Sequence, residues 1–146
     1  MPATIVLGAQ WGDEGKAKIV DFLGAEAEVV VRFQGGANAG HTVKVGDQTY
    51  IFHALPVGGI NPNTQCIVGN GVVLDLAAFF EELDDLTARG LDMGEGRVFV
   101  SNCAHVVMPY HKALDQAAEA SKGSAAIGAT GRGIGPAYRD KIDRSH

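Results

Sequence analysis

The strongest constraint on this chain is an eleven-residue loop near its start, Gly8-Ala-Gln-Trp-Gly-Asp-Glu-Gly-Lys-Ala-Lys18. A short apolar run, Thr4–Leu7, precedes it, and an apolar-periodic stretch begins at Ile19. Strand, glycine-rich loop and helix together build a phosphate site, because backbone N–H groups at the helix N-terminus face the anion and the helix dipole favours negative charge there. Against the pattern G-x-x-x-x-G-K-[ST], Gly15-Lys16 fits, but Gln10 takes the first glycine's place and Ala17 replaces the hydroxyl that would hold Mg²⁺. Asp13 and Glu14 sit where a phosphate cradle normally avoids carboxylates. With the hydroxyl missing, Asp13 is the available oxygen for a metal, and Lys16 neutralises phosphate charge. The plain alternative is a tight strand–helix turn with a solvated Asp-Glu pair.

A chain of 146 residues is the size of one domain and can bury a core. Its 20 glycines exceed ordinary usage and suggest tight loops with backbone close to ligands. The net charge of −5 argues against a general nucleic-acid binder. Cys66 and Cys103 have neither C-x-x-C nor zinc-ligand spacing and read as reduced core thiols of a cytoplasmic protein. No basic, apolar leader and no run of eighteen apolar residues is present, so neither a signal peptide nor a membrane span is expected.

After a first strand at Thr4–Leu7, the pattern predicts a helix from about Gly15 to Leu23, stopped by Gly24. Val29–Phe33 is nearly all apolar, as in a strand covered on both faces. Val43–Val45 and Thr49–His53 flank Gly46-Asp47-Gln48 as a hairpin. Cys66–Gly69 reads as a buried strand, and Asp75 as the cap of a helix whose apolar face is Leu76, Phe79, Phe80, Leu83 and Leu86, ended by Gly90. Arg97–Val100 is a further strand, Pro109 to about Ala120 a helix, and Lys122–Pro136 a glycine-rich loop. Strands alternating with helices imply an α/β fold, a largely parallel sheet with flanking helices in the manner of P-loop NTPases, plus a small β-hairpin excursion. The whole, 1–146, is expected to be a single α/β unit. Its last residues, Tyr138–His146, are still patterned and charged, as in a segment of a longer protein.

Two more loops carry polar chemistry. Gln34-Gly-Gly-Ala-Asn-Ala-Gly-His-Thr42 leaves its strand at the same end as the first loop, where α/β sheets bind ligands. His41 in this setting suits donation of a proton or hydrogen bond to a phosphate or carbonyl oxygen, the alternative being a turn histidine with one structural bond. His53, His105, His111 and His146 lack such a setting and read as structural. The third loop offers Thr130, Arg132 and Arg144, a hydroxyl and guanidinium groups suited to a monophosphate. A flexible linker with solvated arginines looks similar.

Together, Gly8–Asp21, Gln34–Thr42, Ile67-Val-Gly-Asn-Gly-Val72 and Gly128–Tyr138 resemble the adenylosuccinate synthetase family over about Ile5 to Arg144. The first two motifs are the most specific. The resemblance implies the N-terminal segment of a GTP/IMP-binding α/β domain, and an activity that joins IMP and L-aspartate with GTP as co-substrate, the first committed step from IMP to AMP. It implies that Asp13 takes the N1 proton of IMP, that the O6 oxyanion attacks the γ-phosphate of GTP, and that the aspartate amine displaces phosphate from 6-phosphoryl-IMP. His41 is then the general acid. One Mg²⁺ is held by the Asp13 carboxylate and the Gly40 carbonyl. GTP meets Gly12, Asp13, Glu14, Gly15, Lys16, Ala17, Lys18, Gly40, His41 and Thr42. IMP meets Asp13, Glu14, Gly15, Lys16, Asn38, Ala39, Gly40, His41 and Thr130, with Arg144 reaching the IMP site of the neighbouring subunit of a homodimer. No nucleic acid or membrane partner is implied. Two positions depart from the family pattern: Ala17 stands where glycine is usual and Ala129 where threonine is common. The segments that select guanine and grip aspartate lie further along the family's chain, so these residues alone are expected to be inactive. Two rival classes stay open, another P-loop-like GTP or ATP phosphotransferase and a non-catalytic nucleotide-binding module.

Overall fold

In the computed structural model, residues 2–9, 15–122, 128 and 130–143 are described. The long strand is β4 (Gln65–Leu74), and it organises everything else. On one edge it pairs in parallel with β1 (Val29–Gly35), from Val29 opposite Gln65 to Gly35 opposite Val72. On the other edge it pairs in parallel first with β5 (Val98–Val100) and then with β6 (His105–Val106). A separate antiparallel hairpin, β2 (His41–Val45) and β3 (Gln48–Phe52), turns at Gly46, whose φ of 59° suits the left-handed position of a tight two-residue turn. A 3₁₀ turn, Val57–Ile60, leads from the hairpin to β4.

Four helices flank the strands: α1 (Lys16–Gly24), α2 (Leu76–Ala88), α3 (Pro109–Ser121) and α4 (Ile134–Ile142). Asp75 caps α2 by accepting from the Ala78 N–H. At the other end, Gly90 N–H bonds Thr87 C=O and Leu91 N–H bonds Leu86 C=O, with Gly90 at φ 89°. That pair of bonds is the Schellman stop, which needs a residue free to adopt a left-handed backbone. The expected α/β class, parallel sheet and hairpin are therefore all present.

The main core lies between the hairpin, β4 and α2 and contains Tyr50, Phe52, Leu55, Val68, Val72, Phe79, Leu86 and Met93. A smaller cluster, Val73, Val107 and Ala137 with Ile134 and Tyr138, fills the space between β4, β6 and α4. Among the described strands, β4 is the one with a core cluster on each face.

Several expectations change. Thr4–Leu7 is not a strand: Ile5 and Leu7 are 73% and 71% exposed, and no described strand pairs with them. A four-residue apolar run becomes a strand only where a neighbour takes up its backbone groups. In β1 one face, Val29, Val31 and Phe33, is open rather than covered. On α2 the buried face is Phe79, Glu82 and Leu86, while Leu76 and Phe80 are exposed. The helix is rotated because Glu82 has backbone partners inside. The third loop ends earlier than Pro136: α4 starts at Ile134, capped by Gly133 at φ 77°. Pro136 lies in the first turn, where its missing N–H costs no helix bond.

The thiols also separate. Cys66 is buried and Cys103 exposed, so only Cys66 is the core thiol expected of both. Burial pushes the Cys66 thiol up to about 11. Reaction needs thiolate and access together. The native protein is accordingly expected to consume one equivalent of 5,5′-dithiobis-(2-nitrobenzoate) at pH 8, and a second only in denaturant. Two fast equivalents in the native state contradict the fold at β4.

Candidate active site

Of the first loop, Gly15 through Lys18 are described; Gly12, Asp13 and Glu14 lie outside the described residues, as does Arg144. Gly15 is the N-cap of α1 at φ 81°, and its carbonyl accepts from the Lys18 N–H at 3.0 Å. A glycine is required there because the left-handed backbone penalises a Cβ. Ala17 and Val20 pack on the main core, which fixes the start of α1 against the hairpin and the 3₁₀ turn. The methyl of Ala17 therefore points into packing, a physical reason why this position accepts alanine.

The second loop joins β1 to β2. Gly36 is buried, and a Cβ there would meet Ile134 Cδ1 at 2.6 Å, so the loop lies tight against α4. Three of its carbonyls accept from basic side chains of three different segments. Arg32 in β1 donates to Gly36 C=O at 2.6 Å, Arg132 in the third loop to Ala37 C=O, and the His53 ring to Ala39 C=O at 3.1 Å. Asn38, Gly40 and Thr42 are exposed and His41 half-buried at the first residue of β2. His41 is held below the ordinary imidazole value, by burial first and then by the positive charges of Arg32, His53 and Lys16. Lys16 of the first loop thus lies within electrostatic reach of His41 of the second, through the packing of α1 on β2 rather than through a strand at Thr4–Leu7.

Thr130 is exposed, and the third loop is anchored after it. Gly133 N–H donates to Asp115 Oδ2 at 3.0 Å, and a Cβ on Gly133 would meet Lys112 N at 2.7 Å. Arg132, expected as an anion ligand, spends one of its N–H groups on the second loop and ties the two loops together. Between them, the hairpin and α2 runs a groove of about 480 Å³, lined among others by Ala37, Ile51, His53, Ala78, Lys112 and Arg132. Its size falls in the range of small-ligand sites.

Three residues that hold this arrangement carried no functional reading in the sequence. Glu82 accepts from three successive backbone N–H groups, His53 at 2.9 Å, Ala54 at 2.7 Å and Leu55 at 3.1 Å. Arg32 donates to the His53 carbonyl as well as to Gly36. Tyr138 Oη accepts from Gly35 N–H at 2.7 Å and donates to Gly71 C=O at 2.7 Å, closing the ends of β1 and β4. A signal existed: an arginine within an apolar strand and a glutamate on a helix's inner face are buried only when partnered. The structural reading of His111 holds, its buried ring accepting from Met108 N–H and meeting Asp140.

Among the described residues no cluster of three His, Cys, Asp or Glu side chains could hold a metal. The oxygen set implied for Mg²⁺ is smaller, the Gly40 carbonyl with a carboxylate from outside those residues. Exposed Gly40 fits it, since Mg²⁺ takes few protein oxygens and completes its shell with phosphate and water. No described helix is long and apolar enough to cross a membrane.

Comparison with known proteins agrees with the motifs. The adenylosuccinate synthetase family profile matches residues 5–146. An adenylosuccinate synthetase of Oleidesulfovibrio alaskensis is 56% identical over 145 residues, 99% of this chain and 34% of its own length. That of Nitratidesulfovibrio vulgaris strain DP4 is 57% identical over 145 residues, with the same coverage. The fully ligated enzyme of Plasmodium falciparum superposes with a TM-score of 0.83 at 42% identity, over 94% of this chain and 32% of that one. The succinoaminodeoxyadenylate synthetase of cyanophage S-2L, solved with dGMP and with dATP as energy donor, gives a TM-score of 0.70 at 29% identity, over 92% of this chain and 36% of that one. The chain spans about a third of the length of the curated relatives it matches. With a profile match over nearly every residue, and with the glycine loops placed as described, the chain belongs to the adenylosuccinate synthetase family.

Proposed function

We propose that this chain supplies the catalytic loops for GTP-dependent ligation of IMP and L-aspartate to adenylosuccinate. The observation that carries the reading is the packing of α1, headed by Lys16, against β2, headed by His41, each on a loop with the family's motif. In this reading Gly12 through Lys18 and Gly40 through Thr42 bind GTP. Asp13 through Lys16, Asn38 through His41 and Thr130 bind IMP, and Arg144 reaches across a homodimer.

Asp13 takes the N1 proton of IMP, and the electrons pass to O6, which attacks the γ-phosphorus as GDP leaves. His41 donates a hydrogen bond or proton to the developing charge at O6 and the γ-phosphate. The aspartate amine then adds at C6, and phosphate departs. The Lys16 ammonium group favours the oxyanion. The Asp13 carboxylate and the Gly40 carbonyl would hold Mg²⁺, which would neutralise charge at the phosphates. The resting tendency of His41 toward its neutral form suits a group that gains its proton only when polyanionic nucleotide arrives beside Lys16 and Arg32. Splitting the ligation into phosphorylation and displacement gives aspartate a good leaving group.

The test is a steady-state assay with IMP, GTP, Mg²⁺ and aspartate. The 146 residues alone are expected to give no measurable turnover. A chimera in which they replace the matching third of the Oleidesulfovibrio alaskensis enzyme is expected to form adenylosuccinate. GTP cleavage that does not require IMP would count for a plain phosphotransferase, and an inert chimera that still binds nucleotide for a binding module.

A further inference from the structure

The second loop is held from behind by a residue outside the proposed nucleotide-binding set. His53 follows β3 directly, and its backbone is clamped at both polar groups. Its N–H is taken by the Glu82 carboxylate at 2.9 Å and its C=O by the Arg32 guanidinium. Ala54 and Leu55 N–H groups share the same carboxylate at 2.7 Å and 3.1 Å. Four backbone groups and two buried or half-buried charges therefore fix where the His53 side chain starts. From there the ring reaches back to the second loop, with Nδ1 3.1 Å from Ala39 C=O. A Cβ built on Gly40 would lie 3.1 Å from His53 Cε1 and 3.4 Å from Nδ1, so the ring lies against the Gly40 backbone.

We propose that His53 is a positioning residue for the catalytic loop: its Nδ1–H holds the Ala39 carbonyl, and its ring fixes the Gly40 backbone that leads into His41.

Chemistry decides the tautomer. A carbonyl oxygen only accepts, so Nδ1 must carry the hydrogen. The Ala39–Gly40 peptide then has one orientation, which fixes the Gly40 N–H, and the ring against Gly40 limits how the chain turns from there into β2. The other two anchors, Arg32 on Gly36 and Arg132 on Ala37, act three and two peptides earlier and leave the Ala39–Gly40 peptide to His53. Glu82 matters because it is rooted in the middle of α2, so the loop's geometry is referred to a helix rather than to a flexible neighbour. Through this chain of contacts, α2 positions His41 without touching it.

This inference rests on the proposed ligase reading for its activity readout only. In the chimera, His53→Asn, His53→Gln and His53→Ala separate the roles. An Asn amide places an N–H near the reach of Nδ1, and a Gln amide near that of Nε2. We expect the Asn variant to keep kcat within about threefold of the parent. The Gln and Ala variants should lose about 10–100-fold in kcat, with KM for GTP and IMP changed far less, the size typical when a group that orients a catalytic residue is removed. Equal melting temperatures for Asn and Gln variants show that the difference is not one of folding. In parallel, the imidazole ¹⁵N shifts of selectively labelled His53 report its tautomer without any activity. An Nε2–H tautomer, an Ala variant with parental kcat, or Asn and Gln variants that fall alike would each overturn the proposal. An inactive parent chimera speaks against the ligase reading, and the ¹⁵N shifts then decide the positioning claim alone.

Discussion

Asp13→Asn in the complete chimera is expected to lower kcat by about 10²–10⁴-fold, the range that a positioned general base contributes. The amide is nearly isosteric with the carboxylate but has no basic oxygen, so it cannot take the N1 proton of IMP. One of its atoms is still a carbonyl oxygen, which keeps part of the set of donors for Mg²⁺. The Asn variant therefore isolates the base role, with the Mg²⁺ concentration for half-maximal rate shifted little. Asp13→Ala removes both roles and should raise that Mg²⁺ requirement as well. The split matters because a metal-bound carboxylate is a weak base. It can work only if the purine N1–H is itself acidified by cations facing O6, and in the proposed reading Lys16, within electrostatic reach of His41, is part of that field. Parental kcat in Asp13→Asn excludes Asp13 as the base and returns the loop to the phosphotransferase reading.

The loops themselves were legible because glycine and punctuation residues have local causes. Gly15, Gly46 and Gly90 all sit at positive φ, where sequence patterns of turn and cap point to them directly. The parallel pairing of the apolar runs at Val29 and Cys66 followed from their composition. What escaped was decided by partners remote in sequence. Thr4–Leu7 has a strand's composition but no neighbouring ladder among the described residues. α4 was hidden by the glycines of Gly133-Ile134-Gly135-Pro136, which read locally as loop. Its place is set instead by Gly36 and Val73 beneath Ile134 and by Tyr138 bridging Gly35 and Gly71. His53 looked structural and is so in its backbone, yet its ring touches the loop that carries His41. In the candidate site, the residues that meet ligand were marked by motif, whereas those that hold the loops (Arg32, Glu82, Tyr138) were marked only by being polar where apolar residues belong.

Glu82 is the position where that distinction has its largest consequence for stability. Its side chain is 9% exposed and accepts three backbone N–H bonds from the segment that joins β3 to the core. Bonds to an ionised acceptor are stronger than neutral ones, and leaving a buried N–H without a partner costs about 1–3 kcal/mol. The same carboxylate lies near Arg32, whose guanidinium is itself disfavoured by burial and supported by Glu82 and Tyr138. Three N–H groups lose their charged acceptor together, and the part-buried Arg32 guanidinium loses a nearby opposite charge. Glu82→Ala is therefore expected to destabilise the chain by about 3–5 kcal/mol, read as a lower denaturant midpoint with little change in slope. Glu82→Gln keeps two acceptor lone pairs on one oxygen and should fall between parent and Ala. Leu83→Ala, on the same helix but only partly buried, serves as the packing comparison. If Glu82→Ala costs no more than Leu83→Ala, the carboxylate is not the anchor of the His53–Leu55 backbone, and the route from α2 to the catalytic loop loses its first step.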